Sequence, residues 1–124
     1  KEDILPGHIY FAPPDYHLLI EADHRLSLSS EAPVLFSRPS IDVLFESAAD
    51  VYGEGLIGVI LTGANSDGAA GLKAVMAAGG KPVVQRPDLA YASAMPEAAL
   101  TLCPQAESLS LDQIAEKLRE AVTT

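Results

Sequence analysis

The chain has 124 residues, 48% of them apolar, and carries 17 acidic against 8 basic side chains for a formal charge of −9. That length suits one domain, able to bury about two thirds of its unfolded surface, and the apolar share argues against intrinsic disorder. The acidic balance speaks against nucleic acid, which calls for a basic stripe, and no apolar run reaches the ~18 residues of a membrane-spanning helix. No Arg-rich or hydrophobic targeting segment opens the chain. The single cysteine, Cys103, cannot form an internal disulfide and fits a reducing cytoplasm. Three histidines and one cysteine without paired spacing give no zinc pattern, so neither a metal nor a cofactor is expected.

Ile9-Tyr10-Phe11-Ala12 reads as a buried strand, rich in β-branched and aromatic residues, and Pro13-Pro14-Asp15 ends it. His17 to Glu21 and Arg25 to Ser29 read as two strands of a hairpin turning at Asp23-His24. Residues 30–39, with two prolines, read as a surface loop. Ser40 then precedes Ile41, Leu44, Phe45, Ala48 and Tyr52, whose spacing is helical with one apolar face. Ser40 suits the N-cap, Asp42 the first turn and Gly53 the stop. Leu56-Ile57-Gly58-Val59-Ile60-Leu61 is a nearly continuous apolar run, typical of a central parallel strand covered on both faces.

A Gly-rich turn leads into a helix over Ala69 to Ala78, closed by Gly79-Gly80. Pro82-Val83-Val84-Gln85 follows as a strand, and Pro96 suits the first turn of a short helix. Ser110-Leu111-Asp112-Gln113 matches a capping box. Leu111, Ile114, Ala115, Leu118 and Val122 are expected to mark the core face of the last helix. Alternating strand and helix from residue 56 implies an α/β sheet with right-handed crossovers, to which the leading hairpin adds an antiparallel piece.

In open α/β sheets ligands gather at the carboxyl ends of strands, so the turn after Leu61 comes first. It reads Leu61-Thr62-Gly63-Ala64-Asn65-Ser66-Asp67-Gly68-Ala69-Ala70-Gly71. A P-loop needs Lys and Ser/Thr where Ala69 and Ala70 stand. The dinucleotide fingerprint needs glycine where Asn65 stands. Gly63 to Gly68 is one residue too long for a nucleophile elbow around Ser66.

Asp67 remains, an acid among glycines just before a helix. It reads either as the N-cap of that helix or as the orienting carboxylate of a Ser-His-Asp site, fixed by backbone donors and accepting from an imidazole N–H. His8, His17 and His24 have no partner pattern and read as surface or satisfied core groups. Tyr91 and Met95 read as core near the strand ends, and Arg38 as a partner for Asp42 or another acid.

Taken together and in order, several pieces resemble one family. They are Leu5-Pro6-Gly7-His8-Ile9-Tyr10 with Ala12-Pro13, His17-Leu18, Arg38-Pro39-Ser40-Ile41-Asp42-Val43-Leu44-Phe45 and Gly58-Val59-Ile60-Leu61-Thr62-Gly63. Asp67-Gly68-Ala69-Ala70-Gly71 and Met95-Pro96 complete the set. The stretch 5–100 is similar to the later part of the catalytic domain of bacterial chemotaxis protein-glutamate methylesterases. The resemblance implies a doubly wound α/β fold, with a mostly parallel sheet and an antiparallel hairpin near the N-terminus. It also implies hydrolysis of glutamyl methyl esters, and deamidation of some glutamines, on the cytoplasmic helices of chemoreceptors.

The family's triad aspartate falls at Asp67. Ala64 stands near the reacting centre, where enterobacterial members carry methionine, so only its backbone N–H could serve the oxyanion. Met95 belongs to the M-P element near the site. The serine and histidine motifs of the family are not found in this sequence, and His17 matches a family histidine outside the triad. Residues 1–124 therefore read as one partial catalytic domain, lacking its upstream nucleophile and base. The missing N-terminal part of that domain and a receiver domain are expected partners beside the receptor helices. With a strand neighbour lost, the chain alone is expected to be inactive and prone to associate. The competing reading is a non-catalytic α/β module that binds a signalling partner; phosphate binding by the 63–71 turn is opposed by the missing lysine and by Asp67 itself.

Overall fold

In a computed structural model, residues 2–35 and 37–123 are described. The hairpin expected near the N-terminus is present: β2 (His17–Ile20) pairs antiparallel with β3 (Arg25–Ser29), with His17 opposite Ser29 and Ile20 opposite Leu26. It turns at His24, whose φ of 61° is the left-handed conformation that such a tight reversal needs. A two-residue strand β1 (Glu2–Asp3) adds to the far side of β3. The hairpin thus forms a small sheet of its own, in the order β1-β3-β2, rather than extending the parallel one.

Residues 9–12 correct the sequence expectation. They form no strand, and Ile9 and Phe11 are 84% and 87% exposed. β-propensity alone does not make a strand without a ladder partner, and Pro13-Pro14 removes two donors directly after the segment. The segment instead walls an open groove against Leu18, Leu26 and Leu28 of the hairpin. Residues 30–39 form the expected loop, Phe36 lying outside the described residues. Within it Arg38 does not pair with Asp42; its Nη1 donates to the carbonyls of Ser30 (2.7 Å) and Glu31 (3.2 Å).

Helix α1 (Ile41–Tyr52) begins as expected. Ser40 is its N-cap, with Oγ accepting from Val43 N–H at 3.5 Å, and Gly53 ends it with φ 51°. Its Ser47 hydroxyl accepts the Ile20 N–H at 2.9 Å, covering a backbone donor of β2 and tying the two sheets' layers together.

The second sheet is parallel, in the order β4-β5-β6, from β4 (Ile57–Ile60), β5 (Lys81–Gln85) and β6 (Glu107–Leu109). Strand β4 is therefore an edge strand among the described residues and β5 is central, in keeping with the expected loss of a neighbour to the apolar 56–61 strand. Gly58 and Ile60 of β4 are buried while Ile57 and Val59 are only half-buried, so one face is covered more fully than the other. On the covered face a Cβ at Gly58 would lie 3.2–3.3 Å from Leu72, Phe45 and Val75, so the absent side chain lets α1 and α2 (Ala69–Ala77) settle on the strand.

Ile60, Leu72, Val84, Ala99 and Cys103 form the core, with Ile41, Phe45 and Met95 packed around it. Helix α3 (Ala94–Leu102) contributes Ala99, and Pro96 lies in its first turn.

Helix α4 (Leu111–Thr123) starts with the expected capping box: Gln113 Oε1 accepts from Ser110 N–H (2.9 Å), and Ser110 Oγ from Gln113 N–H (3.2 Å). Its expected core face is a correction. Only Ile114 is buried, while Leu111, Ala115, Leu118 and Val122 are exposed. The apolar periodicity is real, but the helix packs on β5 chiefly through Ile114 and leaves most of its apolar stripe exposed. Strand β6 itself was missed, because Glu107-Ser108-Leu109 is too short and polar to show a strand pattern.

Candidate active site

The turn after β4 leads the chain from the carboxyl edge of the sheet into α2. Its first residues are tied to the end of β5 and to the turn before α3. Thr62 N–H donates to Gln85 Oε1 (3.0 Å), Thr62 Oγ accepts from Ala92 N–H (2.8 Å), and Gly63 N–H donates to Ala92 O (3.0 Å). Met95 N–H returns a bond to Gly63 O at 3.1 Å, and the Met95 thioether lies where a Cβ on Gly63 would be, 2.5–2.6 Å from that position. Met95 is thus a half-buried strut under the turn, joined to the core as expected. Tyr91, expected to pack, is 100% exposed. Ala64 is exposed at the tip.

Asp67 is buried, 6% exposed. Asn65 Oδ1 accepts its N–H at 3.0 Å, an Asx turn that fixes the backbone locally. The carboxylate does not cap α2, the helix that follows it; that N-cap is Gly68, with φ 101° and no side-chain hydrogen bond of its own. Asp67 reaches instead to the start of α1. Its Oδ1 accepts from Ser40 Oγ–H (2.9 Å) and Asp42 N–H (3.0 Å), and its Oδ2 from Ile41 N–H (2.7 Å). The first N–H groups of a helix have no partner within it, and the dipole there favours a negative group.

The exchange is mutual. Asp42, in the first turn of α1, accepts on Oδ1 the N–H groups of Gly68 (2.9 Å) and Gly71 (2.7 Å) at the start of α2. Each acid satisfies the other's helix. Two glycines permit the approach: a Cβ at Gly68 would lie 2.6 Å from Ile60 Cδ1, and one at Gly71 2.8 Å from Phe45 Cβ and 2.9 Å from Asp42 Cα.

Three donors leave the Asp67 carboxylate one acceptor direction short of its capacity of about four. Both positions on Oδ1 are taken; one on Oδ2 remains. A buried, immobilised carboxylate with one open acceptor position can orient a donor such as an imidazole N–H. No histidine of the chain fills that position. His8 Nδ1 lies against Pro6 O (3.0 Å), His17 Nε2 against Ala32 O (2.9 Å), and His24 packs edge-on to Tyr52. Ser66 is exposed, and its part is a backbone one, its carbonyl accepting the Ala69 N–H at 3.3 Å. Among the described residues no group of three His, Cys, Asp or Glu could hold a metal ion.

The family model for CheB methylesterase matches residues 1–118. The chain belongs to the CheB methylesterase family. A Leptospira interrogans relative is 56% identical over 116 residues, covering 94% of this chain and 60% of its own. Proteins named protein-glutamate methylesterase/protein-glutamine glutaminase from Nitrosomonas europaea and Salmonella typhimurium are 41% and 37% identical over 120 residues, and the chain spans 34% of each. Among solved structures the catalytic domain of Thermotoga maritima CheB methylesterase superposes with a TM-score of 0.89 at 31% identity, over 96% of this chain and 65% of that one. The fold is that of the CheB catalytic domain, a domain of a hydrolase family, and the chain spans about two thirds of its length. No helix among the described residues is long and apolar enough to cross a membrane.

Sequence reasoning singled out Asp67 but not the residues that hold it. Ser40 was legible as an N-cap and Asp42 as a first-turn acid. Nothing in their spacing shows that both engage a turn some 25 residues onward. Asn65 carried a readable signal, since Asn two residues before Asp-Gly is Asx-turn chemistry. Gln85 carried none.

Proposed function

We propose that this chain is part of a cytoplasmic protein-glutamate methylesterase/glutaminase, and that Asp67 is the acid of a Ser-His-Asp triad. The serine and histidine would come from a preceding segment of the same domain. The observation that carries the reading is the Asp67 carboxylate, buried at the carboxyl end of β4, held by three donors and open at one. In this scheme the serine oxygen adds to the acyl carbon of a glutamyl methyl ester on a chemoreceptor helix while the histidine takes its proton. The histidine returns that proton to the departing methoxide, methanol leaves, and water cleaves the acyl-serine to the carboxylate. Glutamine would follow the same course with ammonia leaving.

Asp67 stays ionised throughout, holding the imidazole tautomer and stabilising the imidazolium. Ala64 offers only its backbone N–H to the oxyanion, and Met95 serves by supporting Gly63.

The test joins this chain to the preceding segment of the Leptospira relative and measures methanol release from a methylated receptor fragment. Turnover is expected, with Asp67→Asn lowering kcat by about 10⁴, as loss of the acid does in serine proteases. A loss below tenfold would exclude the role. Binding without any turnover would favour a non-catalytic receptor-binding module.

A further inference from the structure

We infer that Asp42 is a positioning residue for Asp67, and that Ser40 completes the clamp. The inference rests on the reading of Asp67 as the triad acid. Asp42 does not face the open acceptor position. It holds the N–H of Gly68, the residue directly after Asp67, and that of Gly71 one turn on, at 2.9 and 2.7 Å. Asp67 in turn is held by Ser40 Oγ–H and by the N–H of Ile41 and of Asp42 itself. Asp42 therefore grips Asp67 twice, through its own backbone N–H on the carboxylate and through its carboxylate on the backbone behind it.

Those contacts remove the freedoms that would let the carboxylate drift. The Asx turn at Asn65 fixes the chain before Asp67, and Asp42 fixes it after. The donors then choose which oxygen stays open. Ser40 Oγ–H and Asp42 N–H saturate Oδ1, so the histidine can be met only by Oδ2. A triad acid must present one oxygen along one line to Nδ1–H, and a misplacement of about 1 Å can cost roughly 10²-fold in rate. A general helix cap would need neither this saturation nor the second acid.

The experiment uses the joined protein. Asp42→Ala is expected to lower kcat by about 10²-fold with KM unchanged, in protein shown to be folded by circular dichroism. Asp42→Asn, whose amide oxygen can still accept both N–H groups, should restore most of that turnover. Added to Asp67→Asn, Asp42→Ala should bring no further loss, because it acts through Asp67. Should Asp42→Ala not fold, Asp42→Glu takes its place: it keeps the charge on a longer arm and is expected to lower kcat in the same way. A folded Asp42 variant with the parent kcat, beside a dead Asp67→Asn, overturns the inference and leaves the triad reading intact. An Asp67→Asn variant with the parent kcat overturns both.

Discussion

Asp42 and Asp67 exchange helix ends: the Asp42 carboxylate accepts the Gly68 and Gly71 N–H groups that open α2, and the Asp67 carboxylate accepts the Ile41 and Asp42 N–H groups that open α1. Two helix N-termini are brought together at one corner, and each would repel the other without a negative group between them. The arrangement solves a packing problem, and on the proposed reading of Asp67 the same atoms position the triad acid. It lets α1 and α2 pack closely on β4, and it leaves a buried carboxylate with one unfilled acceptor position.

Gly71 is where that closeness is most exposed to test. A methyl group there would meet Phe45 Cβ at 2.8 Å and Asp42 Cα at 2.9 Å, and a backbone atom cannot rotate aside. Replacing glycine by alanine within a helix would ordinarily gain about 1 kcal/mol. Overpacking of this kind costs about 1–3 kcal/mol, and a shifted Asp42 would add one or two unmet N–H groups at about 1–3 kcal/mol each. Gly71→Ala is therefore expected to destabilise the protein by about 2 kcal/mol net, read as a lower urea midpoint at unchanged slope. A variant as stable as the parent would show that the two helices can separate freely.

Local patterns were legible wherever a residue's neighbours in sequence decide its structure. Ser40 and Gly53 bound α1, Ser110 and Gln113 open α4, and the 17–29 hairpin forms as its alternation and turn suggest. Failures came where a distant partner decides. Ile9 to Ala12 has strand composition and finds no ladder. Leu118 and Val122 have core spacing yet stay 40% and 86% exposed. The site divides the same way. Asp67 stood out through the glycines beside it, whereas its hold by Ser40 and Asp42 depends on two helices meeting, which no local spacing encodes.

Cys103 gives a pH-dependent test of the core. Its side chain is fully buried, and that burial pushes the thiol up from its ordinary value, outweighing the opposing charge of Lys73. An unfolded thiol ionises near ~8.5, whereas the folded one keeps its proton to higher pH. Between the two the unfolded state binds fewer protons than the native state, so stability falls as pH rises. The urea midpoint should drop as pH rises above the ordinary thiol value of about 8.5, and Cys103→Ala, less stable at neutral pH through its cavity, should show a shallower drop. Alkylation of the thiol should track global unfolding. Equal slopes for the two proteins, or fast alkylation of the native one, would contradict the burial.

Association of the isolated chain follows from its surface. The accessible area is 7469 Å², against roughly 6,300 Å² for a typical folded monomer of this mass. The excess, roughly 1,100 Å², is comparable to one side of a standard protein interface at about 800 Å². The exposed surface includes Ile9, Phe11 and Leu28 beside the groove and Leu111, Leu118 and Val122 along α4, with β4 at the edge of its sheet among the described residues. A net charge of −9 resists self-contact at long range, but its reach is only about 8 Å at physiological salt. Sedimentation in such salt should therefore give a weight-average mass above 13.0 kDa that rises with concentration. Phe11→Ser with Val122→Ser should lower it. A single 13.0 kDa species at every concentration would mean that these faces do not drive association.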